Sequence, residues 1–126
     1  MEPSDERQSD ESKSATERTQ RLNDEMRASI LTGACKPFGS VIMTRGVAEQ
    51  GQDFVQRAGE AVATFETFDS DNDPYGEHDF GAFEIEGENL FFKIDYYDLD
   101  MQGHSPDKSD VAVTHRVLTI MLASEY

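Results

Sequence analysis

Two short stretches hold most of the residues that could do chemistry. Asp69, Asp71 and Asp73 stand at alternate positions, D-x-D-x-D. A calcium loop opens this way, because alternate side chains converge on one ion. The rest of that pattern fails here. Its sixth position needs Gly for a sharp turn and is Pro74; its twelfth needs a bidentate acid and is Phe80. The other reading of the spacing is an acidic turn in which Asp side chains accept nearby backbone N–H groups.

Glu77-His78-Asp79 follows directly. A carboxylate beside a His can orient the imidazole or complete a metal site. Neighbours in an extended segment point to opposite sides, so the three do not converge simply. His104 and His115 can approach only through the fold, and a zinc site takes three or four ligands while Cys35 stands alone. A hydrolase dyad of His78 with Ser, Thr or Cys35 has no nucleophile-elbow sequence behind it, and no phosphate-loop sequence is present. These residues predict no bound metal and no cofactor.

Charge supplies the next constraint. The formal net charge is −15, and it is concentrated. Between Glu66 and Asp100 there are 12 carboxylates and one base, Lys93. A phosphate-binding surface needs the opposite sign, so direct nucleic-acid binding is excluded as an expectation, and anionic membranes are disfavoured for the same reason. Basic protein surfaces and cations are the natural partners. The plainer reading of the same charge is a solvated, soluble surface.

The elements that must position these groups follow from periodicity. Leu22, Met26 and Ile30 give a narrow apolar stripe on a helix from about Thr16 to Leu31, stopped by Thr32-Gly33. A short strand is expected over Ser40 to Thr44. A second helix, about Gln52 to Phe65, repeats Phe54, Val55, Ala58, Ala61, Val62 and Phe65, and Gly59 weakens it by about 1 kcal/mol relative to Ala. The stretch Asp69 to Gly81 loses periodicity, and Asp73-Pro74-Tyr75-Gly76 suits a type I turn.

A hairpin from Phe80 to Tyr97 turns at Glu86-Gly87-Glu88-Asn89. Phe83, Ile85, Leu90, Phe92, Ile94 and Tyr96 share its core face. The other face mixes Phe80, Ala82, Glu84, Phe91, Lys93, Asp95 and Tyr97. If exposed, Phe91 and Tyr97 would be aromatic anchors among carboxylates; otherwise they pack beneath a helix. A last, very apolar helix is predicted from Ser109 or Asp110 to about Ser124. The expected fold is α+β, in the order α-β-α-β-β-α, with a three-stranded, mostly antiparallel sheet and about three helices on one face. Residues 1–14 carry no Ile, Leu, Val or aromatic side chain and are expected to be a disordered acidic tail; 15–126 form one domain. One cysteine, no signal-peptide core and no apolar run long enough to cross a bilayer predict a cytoplasmic protein.

Three segments, NDPYGEHDFG (Asn72 to Gly81), KIDYYD (Lys93 to Asp98) and VLTIMLASEY (Val117 to Tyr126), together resemble an uncharacterised bacterial domain family of unknown function. That family is associated with alphaproteobacteria and their plasmids, and the resemblance spans about Gln20 to Tyr126. It implies no activity and no catalytic residue. Its plasmid setting implies a role on mobile elements.

The leading expectation is a non-enzymatic acidic interaction module. Its candidate partner-binding residues are Asp69, Asp71, Asp73, Glu77, Asp79, Glu84, Glu86, Phe91, Asp95, Tyr97 and Asp98. The expected partner is a basic protein, such as a nucleic-acid-binding restriction or CRISPR component, whose groove carboxylates would occupy in place of phosphates. The alternative is a metal-dependent or small-molecule enzyme centred on Asp73, Glu77, His78, Asp79 and Asp95.

Overall fold

The computed structural model describes residues 4–126, with side chains described from Ser14 onward. Residues 1–3 of the expected tail lie outside the described residues, as do the side chains of 4–13. The chain forms α1 (Ser4–Ser29), β1 (Gly39–Met43), α2 (Arg45–Ala48), α3 (Gln52–Ala63), β2 (Phe80–Ile85), β3 (Glu88–Tyr97) and β4 (His115–Leu122). The class is α+β with three α-helices, as expected, but the sheet has four strands in the order β1-β4-β3-β2. β1 runs parallel to β4; the other pairs are antiparallel.

The correction lies at the C-terminal end. The predicted last helix is β4, a central strand flanked by β1 and β3. Arg116, Leu118 and Ile120 face the helices, and Val117 and Met121 are buried on the opposite face. A strand buried on both faces reads as a continuous apolar run, which periodicity alone cannot tell from a buried helix. The β-branched residues Val117, Thr119 and Ile120 are the signal that favours a strand; Val111 and Val113 form a 3-10 turn before it. The short α2, which positions buried Val47, takes the place of that helix in the count.

The rest follows the sequence pattern, except that α1 begins at Ser4, within the segment expected to be a disordered tail, and not near Thr16. α1 docks Leu22 and Met26 with Ile30 beside them, and α3 buries Phe54, Ala58 and Val62. Against them lie Leu90, Phe92, Ile94, Leu118 and Ile120, with Ile94 opposite Leu118 and Phe92 opposite Ile120. Gly59 is buried because α1 comes close: a Cβ there would stand 3.3 Å from Ile30 Cγ2. The hairpin closes through Glu86 (φ 52°) and Gly87 (φ 84°), a two-residue turn of the left-handed kind that matches strand twist. No helix among the described residues is long and apolar enough to cross a membrane.

Candidate functional site

The acidic loop owes its shape to its own side chains. Asp69 Oδ1 accepts the N–H groups of Asp71 (2.9 Å) and Asn72 (3.1 Å), and Asp73 Oδ1 accepts those of Glu77 (2.9 Å) and His78 (3.1 Å). Gly76 N donates to Asp73 O at 3.2 Å, closing the expected turn around Pro74 and Tyr75. The D-x-D-x-D spacing thus builds backbone turns. Among the described residues, no group of three or more His, Cys, Asp or Glu is arranged to hold a metal ion.

The loop docks on a polar stripe of α1 that its apolar period does not reveal. Thr19, Asn23 and Arg27, four residues apart, are all buried. Asn23 is the hub. Its Nδ2 donates to Glu77 O (2.9 Å) and Tyr96 Oη (2.7 Å), and its Oδ1 accepts from Arg116 Nε (2.7 Å). Tyr96 Oη donates in turn to Asp79 Oδ2 at 2.9 Å. Arg116 Nη2 donates to Lys108 O, and Lys108 Nζ pairs with Glu77 Oε2 at 2.5 Å. Burial pushes the Asp79 carboxyl above the ordinary carboxylate range, with the Tyr96 hydrogen bond pulling the other way. Burial also raises the Tyr96 hydroxyl, and the nearby Asp79 charge adds to it.

His78 completes the dock. Its Nδ1 lies 2.8 Å from Asp24 Oδ1, its Nε2 lies 3.7 Å from Asp73 Oδ2, and its ring stacks on Phe68 at 3.9 Å. Its backbone sits at φ 57°, a left-handed conformation that a side chain disfavours and that these contacts hold in place. Asp24 also pairs with Arg27, whose Nη1 donates to the carbonyls of Val62 (3.2 Å) and Phe65 (3.0 Å) and so caps the end of α3. Burial lowers the pKa of Arg27, opposed by Asp24, and burial lowers that of Arg116. Beside this cluster is an open cleft of about 370 Å³ lined by Asp24, Arg27, Phe65, Phe68 and His78.

The candidate residues therefore divide. Asp73, Glu77 and Asp79 turn inward and meet α1, β3 and the 105–110 loop. Asp69 and Asp71 are exposed on the 69–73 turn. Glu84 and Glu86 lie at the hairpin tip, Glu86 paired with Arg57 at 2.9 Å. The length of β2 separates that tip from the loop, about 17–20 Å for six residues. Phe91, Asp95 and Tyr97 lie on the sheet face opposite the helices. There Phe91 packs between Phe80 (5.3 Å) and Tyr126 (5.4 Å), and Asp95 pairs with Lys93 at 2.9 Å. All three are half-buried, Phe91 by Phe80 on the neighbouring strand and by Tyr126 after β4. Asp98 accepts Gln102 N at 3.0 Å in the turn after β3. Asp95 is not joined to Asp73, Glu77, His78 and Asp79, so the enzyme grouping is incomplete.

Among the described residues, no Ser, Thr or Cys hydroxyl or thiol hydrogen-bonds His78. The hydrogen-bonded Ser–His pair is Ser40 Oγ with His115 Nε2 (2.9 Å), on the opposite sheet face, and no described carboxylate pairs with His115. The residues that sequence reasoning missed are Asn23, Asp24, Arg27 and Arg116. Their one signal is the i, i+4 spacing of Thr19, Asn23 and Arg27, which reads equally well as a solvated face.

No curated protein and no solved structure matches the chain. Residues 43–125, which contain Asp73 to Asp79, Tyr96 and Arg116 but not their partners on α1, match the family described as Protein of unknown function (DUF3768), and the chain belongs to that family.

Proposed function

We propose that this protein is a non-enzymatic interaction module whose exposed carboxylates engage a basic protein surface. One observation carries the reading. The acidic region separates into carboxylates turned into the fold and exposed carboxylates that no described cation neutralises. Asp73, Glu77 and Asp79 are engaged inward. Glu66, Asp69, Asp71, Glu84, Glu88 and Asp100 are exposed and form no ion pair among the described residues. Uncompensated charge of one sign raises the encounter rate with an oppositely charged partner. In its finer form the reading is of a plasmid-borne inhibitor that acts in the cytoplasm on a nucleic-acid-binding defence protein, with carboxylates in the place of phosphates.

The enzyme alternative has less support. Asp24 engages His78 Nδ1 at 2.8 Å, Asp73 Oδ2 lies 3.7 Å from Nε2, and among the described residues no hydroxyl or thiol nucleophile hydrogen-bonds either nitrogen. To test the interaction reading, a partner captured from native extract is purified and its association rate is followed against salt. The rate should fall at least about tenfold as salt rises from about 0.05 to about 0.5 M. The variant Asp69→Asn/Asp71→Asn/Glu84→Gln/Glu88→Gln should show the same loss at low salt. It spares Glu86, which Arg57 already neutralises. A rate indifferent to both salt and these substitutions would reduce the acidity to solubility.

A further inference from the structure

Seven large apolar residues stand exposed among the described residues, and their placement is uneven. Tyr75, Leu99, Met101 and Val111 all lie in the connections at one end of the sheet, where β3 stops and β4 starts, Val111 opening a 3-10 turn there. These loops are joined there. The Lys108–Glu77 ion pair ties the third loop to the first, and the bridge between Tyr97 and His104 seats the second on the end of β3.

The 98–103 turn is the most telling of the three. Two backbone hydrogen bonds and the Asp98 carboxylate set its shape: Asp98 N donates to Gly103 O (2.9 Å), Met101 N to Asp98 O (3.0 Å), and Gln102 N to Asp98 Oδ1 (3.0 Å). In that shape Met101 takes φ 61°, a left-handed conformation that glycine adopts freely and a side chain does not. The strain is not offset by burial. Leu99 is 62% exposed and Met101 45%. A well-formed turn that holds a strained residue in order to project two apolar side chains into water fits a surface that is completed by a second molecule.

Charge identifies that molecule's chemistry. Asp98 and Asp100 alternate with the two apolar residues along the chain, and neither forms an ion pair among the described residues. A second copy of this chain would set those carboxylates against each other on a protein of net charge −15. A basic protein with an apolar pocket would not. A surface acting only as a phosphate substitute would gain nothing from Leu99 and Met101.

We propose that the 98–103 turn is the docking tip of the interaction module, with Leu99 and Met101 entering an apolar pocket whose Lys/Arg rim meets Asp98 and Asp100. This rests on the interaction reading above and names its anchor. Buried apolar centres with charged rims are the usual anatomy of such contacts.

A benzophenone crosslinker installed at Leu99 in the full chain, irradiated in native extract, tests it. The expected product is an adduct with one basic protein. Excess parent chain should suppress that adduct, and the Leu99→Ala/Met101→Gly variant should compete about tenfold more weakly or worse. Glycine suits φ 61°, so this variant should keep or raise the melting temperature, which separates lost binding from lost folding. Equal competition by parent and variant, an adduct with a second copy of the chain, or no adduct at Leu99 would overturn the proposal. The charge variant described above, used as a competitor, keeps the two ideas apart. If it fails while the tip variant competes fully, the tip is wrong and the acidic reading stands. If it competes fully while the tip variant fails, the tip stands and the acidic reading falls.

Discussion

His78 Nδ1 sits 2.8 Å from the Asp24 carboxylate, across 54 residues of chain. The same oxygen of Asp24 takes the Arg27 guanidinium, and Arg27 holds the carbonyls at the end of α3. One half-exposed carboxylate on α1 therefore ties the acidic loop to two helices. Asp24→Ala should destabilise the protein by about 1–3 kcal/mol, because it strands a buried guanidinium and releases His78. The size is held to that range because Asp24 keeps 41% of its side chain in water. Urea denaturation measures it, and a double-mutant cycle with His78→Ala isolates the pair. A loss below about 0.3 kcal/mol would mean that the clamp is idle.

Asp79 makes a pH-dependent prediction. Its carboxyl is raised by burial, more than the Tyr96 hydrogen bond lowers it. The folded state therefore holds a proton that the unfolded state releases near the ordinary value of about 3.9. As pH climbs from there through the raised value, this group subtracts stability. Asp79→Asn still accepts from Tyr96 Oη and has no charge to desolvate. Its stability relative to the parent should rise across that window and level off above it. Paired denaturation curves from acid to neutral pH provide the check; a relative stability that falls with rising pH would show that the fold favours the ionised form.

The tail prediction comes from composition. Residues 1–14 offer no Ile, Leu, Val or aromatic side chain to bury, and the described contact of Ser14 is an exposed hydrogen bond from Arg18. Removing 1–14 should move the melting temperature by no more than about 1–2 °C. A drop of many degrees would place a docking contact in that segment.

Much of the frame was legible because local rules and tertiary packing agreed. The hairpin's period of two, Gly87 in its turn and the Phe54–Ala58–Val62 repeat each had one low-energy solution, and each formed. The 116–122 run did not. Val117, Leu118, Ile120 and Met121 are buried on two faces, so no polar side marked which period applied. The dock on α1 was hidden for a different reason. Asn23, Arg27 and Arg116 are residue types that normally face water, and only partners distant in the chain make their burial tolerable. Asp73, Glu77 and Asp79 were placed in the right loop, but whether they turn toward solvent or toward α1 depends on Asn23, which nothing near them in sequence announces.

The reassigned strand and its neighbours carry the last prediction. Gly81 lies opposite Phe92 in the β2–β3 ladder, on the face beneath α3. A Cβ there would fall 2.4 Å from the Phe92 ring and 2.7 Å from that of Phe65. Those rings meet edge to face at 5.3 Å, and Phe68 closes on Phe65 at 4.9 Å, so neither ring can retreat without moving the other. Phe92 is also held from behind, because β4 places Ile120 directly across from it. Gly81→Ala should therefore cost about 1–3 kcal/mol by overpacking, although alanine is otherwise a better strand residue than glycine. Leu118→Ala, which empties the fully buried position opposite Ile94, should cost about 2–5 kcal/mol. Thr119→Ala, one residue on and half-exposed on the other face, should cost under about 1 kcal/mol. That alternation belongs to a strand. If Thr119→Ala and Leu118→Ala proved equally damaging, or if Gly81→Ala were neutral, β4 would not lie where the register places it.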